Sequence, residues 1–135
     1  MEMEPYLFFS GNCQEALDFY KGLFGGEIGE IMRWKDAPPD MSFGPEYANR
    51  IMHAEFSSPA VKFMASDSRP TTQYGDGRIS LSLNTRDASE AKRVFAALAD
   101  GGNVEVPLEK AFWNALFGML TDKFGIDWMV NCQLE

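Results

Sequence analysis

The chain has 135 residues, 45% of them hydrophobic and 13% aromatic, which fits one packed globular domain and excludes a disordered chain. Its net charge of −8 speaks against nucleic acid and anionic membrane surfaces, because both are met by lysine and arginine. No apolar run is long enough to span a bilayer and no basic, apolar leader precedes the first strand, so a cytoplasmic setting is expected.

Residues 6–10 are aromatic and β-rich, and Gly11-Asn12 breaks them. Residues 13–24 switch to a helical period, with Ala16, Leu17, Tyr20, Leu23 and Phe24 on one stripe. Gly25-Gly26 stops this helix, since glycine takes positive φ without steric cost. A strand at about 27–34 follows. Residues 35–48 form the longest polar break, with Pro38-Pro39 and Gly44-Pro45. This loop carries Met41, Phe43 and Tyr47, which either close over a ligand or tuck onto the sheet. Strands at about 49–57 and 60–66 are joined at Ser58-Pro59.

After a linker at about 68–77 the pattern starts again. A strand at 78–85 leads to a helix at 88–100, which stops at Gly101-Gly102. A short strand at 103–106 precedes strands near 112–121 and 125–132. The two halves match at fixed spacing: Ala16 with Ala91, Tyr20 with Phe95 and Leu23 with Leu98, all 75 residues apart. Residues 60–65 answer 125–130 at a spacing of 65. The order βαβββ therefore occurs twice, in modules at about 4–67 and 78–133 of a single domain. The expected class is α+β, with both modules curled into a half-open mixed-sheet barrel and the helices outside. The concave wall of such a barrel is a common kind of ligand site.

The motifs that carry a family likeness are Pro5-Tyr6-Leu7, Ser10-Gly11-Asn12-Cys13, His53-Ala54, Met64-Ala65-Ser66-Asp67, Phe112-Trp113, Phe117-Gly118 and Thr121-Asp122-Lys123-Phe124-Gly125 with Trp128-Met129. As a set they resemble the PhnB-like group of the vicinal oxygen chelate superfamily, which includes glyoxalase I, extradiol dioxygenases and bleomycin resistance proteins. Metal-dependent members hold an ion with two ligands from each module, usually His and Glu. Carried onto this chain, those positions fall on Pro5, on Phe63 or Met64, on Arg78, and on Met129 or its neighbour Trp128. Proline and phenylalanine offer no donor, arginine is cationic, and methionine sulfur is a soft ligand unsuited to zinc, nickel or iron in oxygen chemistry. The resemblance therefore implies the scaffold without its metal, and no cofactor is expected.

On the strand at 78–85, Ile79, Leu81 and Leu83 are expected to face the helix, and Arg78, Ser80, Ser82 and Asn84 the concavity. Arg78 is the candidate to hold a carboxylate, phosphate or phosphonate. Phe63, Met64, Trp113, Phe117 and Met129 are candidate ligand-wall residues. His53 is the single histidine and Glu55 shares its strand face, which makes them weak candidates for acid–base chemistry. Cys13 opens a helix, where a thiolate is favoured, but Cys13 and Cys132 have neither zinc nor disulfide spacing. The leading expectation is a metal-free small-molecule-binding protein of unknown ligand, with an anion as the option that Arg78 suggests. The alternatives are an enzyme (a lyase, isomerase or dioxygenase) around His53 and Arg78, and an interaction module without a ligand. A homodimer is expected.

Overall fold

The computed structural model describes residues 1–70, 72, 74 and 77–135. The chain divides into two compact units, Met1–Tyr74 and Gly75–Glu135. Unit one contains β1 (Tyr6–Phe9), α1 (Cys13–Phe24), β2 (Glu27–Ile28), β3 (Met32–Arg33), β4 (Ile51–Ser57) and β5 (Lys62–Asp67). Its sheet runs β1-β5-β4-β2, with β3 also pairing β4. Unit two contains β6 (Leu81–Thr85), α2 (Ala88–Ala99), β7 (Asn103–Ala111), β8 (Ala115–Thr121) and β9 (Asp127–Gln133), in the order β6-β9-β8-β7. In each unit the first strand lies parallel to the last and the other pairs are antiparallel.

The duplication extends to the register. Tyr6 pairs with Met64 and Ser82 with Met129, spacings of 82 − 6 = 76 and 129 − 64 = 65. The helices keep the spacing of 75 because three residues join β1 to α1 and only two join β6 to α2.

Each helix lays its apolar stripe on one face of its own sheet. In unit one Leu17 and Tyr20 are fully buried with Phe56 and Phe63. Tyr20 meets Phe63 edge-on at 5.9 Å, and Phe56 stacks on Phe63 at 5.1 Å. Phe63→Ala is expected to cost about 3–5 kcal/mol in denaturant unfolding, the range for removing a buried aromatic side chain. In unit two Leu98, Leu120, Trp128 and Val130 form the corresponding core.

Several boundaries differ from the sequence reading. The strand expected at 27–34 is two short pieces, and Trp34 opens a 3-10 turn. The loop after it tucks in: Phe43 meets the buried Trp34 at 4.9 Å and Tyr47 meets Phe43 at 5.9 Å. β6 begins at Leu81, so Arg78 and Ser80 lie in the segment leading to it, and Ile79 is 81% exposed rather than under the helix. β7 has nine residues where a short strand was expected. Phe112 and Trp113 lie in the turn between β7 and β8 rather than on a strand. Asn114, at φ 58°, makes that turn possible, since asparagine tolerates the left-handed region better than most residues.

Candidate functional site

Residues paired across a sheet point to the same side, so the register sorts every candidate. In unit one Phe63 faces α1 and is fully buried, which removes it from any ligand wall. Met64 takes the opposite face, with its partners Tyr6 and Glu55. In unit two Trp128 faces the helix side and Met129 the other. The open choice at both positions thus resolves to the methionines.

The free face of unit two is a row across three strands. Ser82 pairs with Met129 and Asn84 with Asn131 on β6 and β9. Phe117 pairs with Asn131, and Met119 with Met129, on β8 and β9. Trp113 leans over from its turn and closes one end. Its ring centroid lies 5.2 Å from that of Phe117, and its Nε1 donates to Asn131 Oδ1 at 3.1 Å. Asn84 Nδ2 donates to Ser82 Oγ at 3.3 Å. At the other end Thr121 donates to Asp127 Oδ1 at 2.5 Å. Arg78 is exposed ahead of β6, and the Ser80 hydroxyl is buried with no partner among the described atoms.

The free face of unit one carries His53 and Glu55. Tyr6 Oη lies 3.1 Å from His53 Nδ1, although 47 residues separate them. Met32 pairs with His53 on the other side. Glu55 leans toward Gly29: a Cβ built there would stand 3.8 Å from Glu55 Oε2. Glu55 and His53 share a face, as expected, and the aromatic partner of His53 is Tyr6. Sequence reading placed Asn84 on the concave face but missed Tyr6 and Asn131 as site residues. Their only advance signal was period-2 alternation, which marks a face and not a pair.

Asp67 and Asp122 are buried but belong to the framework. Asp67 Oδ1 accepts from Cys13 N and Oδ2 from Ile51 N, each at 2.8 Å. Cys13 itself is fully buried. Burial, and then the negative charge of Asp67, push its thiol well above the ordinary value of 9.0, while Arg33 pulls the other way. The helix-start thiolate is therefore not formed. Because the folded value lies above the ordinary one, the neutral thiol's contribution to stability is complete below pH 9.0 and is lost above it. Cys132 is also buried, so a thiol reagent in neutral buffer is expected to label neither cysteine until denaturant is added. Rapid labelling of folded protein would contradict this.

The residues at the superfamily's ligand positions do not fit a divalent ion. Of the positions that the resemblance assigns to ligands, Met64 and Met129 stand on the free faces with soft thioethers, and Pro5 and Arg78 add no donor. Among the described residues no three of His, Cys, Asp and Glu gather as a metal group.

The paired βαβββ units define a protein of the glyoxalase and bleomycin-resistance fold class. FosX from Listeria monocytogenes, a fosfomycin resistance protein, shares this fold at a TM-score of 0.65 and 8% identity, over 99% of this chain and 93% of that one. Residues 1–131 match the family described as 3-demethylubiquinone-9 3-methyltransferase, and the chain belongs to this PhnB-like family. Protein PA1353 of Pseudomonas aeruginosa is 41% identical, with a TM-score of 0.86 over 100% of this chain and 99% of that one. A PhnB protein from Bacillus cereus is 30% identical, with a TM-score of 0.81 over 98% and 99%.

Proposed function

We propose that this chain is a metal-free small-molecule-binding protein of the glyoxalase superfamily and that the free face of unit two forms part of its ligand wall. The Trp113–Asn131–Phe117 corner carries this reading. A tryptophan outside the strands is held by its ring nitrogen over the half-buried Asn131, Phe117 and Met129, with the exposed Ser82 and Asn84 continuing the row. Such a surface offers stacking to a flat group and hydrogen bonds to its polar edge. The unpartnered Ser80 hydroxyl adds a buried group that a ligand could satisfy. Methyl transfer, as in the family description, has no support from a glycine-rich nucleotide loop: β1–α1 reads Ser10-Gly11-Asn12 and β6–α2 reads Arg86-Asp87.

Native mass spectrometry of freshly purified protein tests the reading. The expected result is a retained small molecule without stoichiometric metal, on a homodimer. Trp113→Ala, which alters a side chain 41% exposed, is expected to lower ligand retention about tenfold while leaving the fold unchanged. Stoichiometric zinc, nickel or iron would refute the metal-free assignment. Equal retention by Trp113→Ala would remove the corner from the site.

A further inference from the structure

Unit one holds a polar pair that the unit-two wall does not use. Tyr6 on β1 reaches across β5 to His53 on β4, spanning two strand spacings of about 4.8 Å each. The ring centroids are 5.7 Å apart and the hydroxyl engages Nδ1 at 3.1 Å. A partly exposed imidazole can find its hydrogen bonds in water. A tyrosine that spans a neighbouring strand to fix one ring nitrogen does something more specific: it orients the second nitrogen, Nε2. No other hydrogen bond reaches the His53 ring among the described residues. The surroundings are flat and soft. Phe8 lies 4.9 Å from the Tyr6 ring, Met64 pairs with Tyr6, and Met32 pairs with His53. Thioether sulfur packs well against aromatic rings. The charged groups of this face include Glu55, two residues from His53 and paired with Met64. Glu55 leans to Gly29, Lys62 pairs with Glu4 at 3.9 Å, and Glu27 lies opposite Ser57.

We propose that this face binds a planar ring carrying one acidic hydroxyl, a phenol or an enol, with His53 Nε2 as proton acceptor and Tyr6 as its positioning residue. The ligand O–H bond breaks and its proton passes to Nε2. Neutral His53 carries its proton on Nδ1 and donates it to the Tyr6 oxygen before and after the transfer, which leaves Nε2 free to accept, and the ligand oxyanion keeps the new Nε2–H hydrogen bond. A neutral pair becomes an ion pair with no change in total charge, so no reagent is needed. The inference stands on unit one alone, independent of any molecule retained on unit two.

The probe is 4-nitrophenol, added to the full-length chain at a pH where the free compound is mostly protonated. Saturable binding is expected, with growth of the phenolate absorption band. The chain has one histidine, so ring-nitrogen NMR reports His53 without ambiguity, and both nitrogens are expected to move to protonated values. His53→Gln and His53→Ala are expected to lose about tenfold or more in affinity, as for a hydrogen bond to a charged group. Tyr6→Phe is expected to lower the phenolate fraction with His53 still present, a change that mere packing would not produce. Circular dichroism identifies any variant that misfolds, in which case the remaining two decide. Absence of saturable binding, equal binding by His53→Gln, or a bound probe that stays protonated would overturn the proposal. An unchanged phenolate fraction in Tyr6→Phe would overturn the role of Tyr6.

Discussion

Asp67→Ala is expected to destabilise the protein by about 3 kcal/mol or more, measured as a fall in urea midpoint with an unchanged slope. One side chain holds three elements together. Its two oxygens accept from the first residue of α1 and the first residue of β4, while its own backbone pairs with β1. Asn12 precedes the helix but makes no side-chain cap, so Asp67 takes that task from a distance. Alanine would leave two buried N–H groups unpaired, each costing about 1–3 kcal/mol. Asp67→Asn keeps one acceptor oxygen and is expected to recover about half of the loss. A cost below about 1 kcal/mol for Asp67→Ala would show that water replaces both bonds and that the carboxyl is not a structural hub.

The second large effect is expected at Asp122, at the turn between β8 and β9. Oδ1 accepts from Phe124 N at 2.9 Å and from Ile126 N at 3.0 Å, and Oδ2 accepts from Trp128 Nε1 at 2.8 Å. The side chain therefore shapes the turn and satisfies the indole of the largest fully buried residue. Asp122→Ala is expected to cost about 3–5 kcal/mol, from the two backbone donors and the indole left without an acceptor. Near-UV circular dichroism should change as Trp128 loses its fixed setting. If the Asp122→Ala spectrum matched the wild type and stability were kept, the buried indole would have to be satisfied another way.

Much of the architecture was legible because the helices and the final strand of each module repeat apolar side chains at fixed spacing. Ala16 with Ala91 and Met64 with Met129 occupy matching places in the two units. The free-face row of unit two was half legible. Ser82 followed from alternation along its strand, Met129 stood open against its neighbour Trp128, and Trp113 was assigned to a strand. A run of aromatic residues ending in Asn-Ala reads as β-rich, and only Asn114 in its left-handed conformation reveals the turn. The start of β6 was misread for a related reason. Ile79 extends the alternation of Leu81 and Leu83, yet pairing with β9 begins only at Leu81. Ladder hydrogen bonds set the end of a strand, and hydropathy does not report them. The Tyr6–His53 contact lay beyond any local signal, because it depends on β5 lying between β1 and β4.

The two modules also cap their helices by different routes, and this has a consequence for the order of assembly. α2 starts on Asp87, which accepts from Glu90 N three residues on, so its first turn is stabilised by adjacent sequence alone. α1 begins only where Asp67, 54 residues away, supplies its oxygen. A contact of that span carries a loop-closure cost before it gives any return. A peptide covering 86–101 should therefore retain more helix in water than one covering 11–26. During refolding, amides of α2 should gain hydrogen-exchange protection before those of α1. Two matching scaffolds thus differ in where the helix cap comes from, and the half capped from its far strand is expected to be the one that folds late.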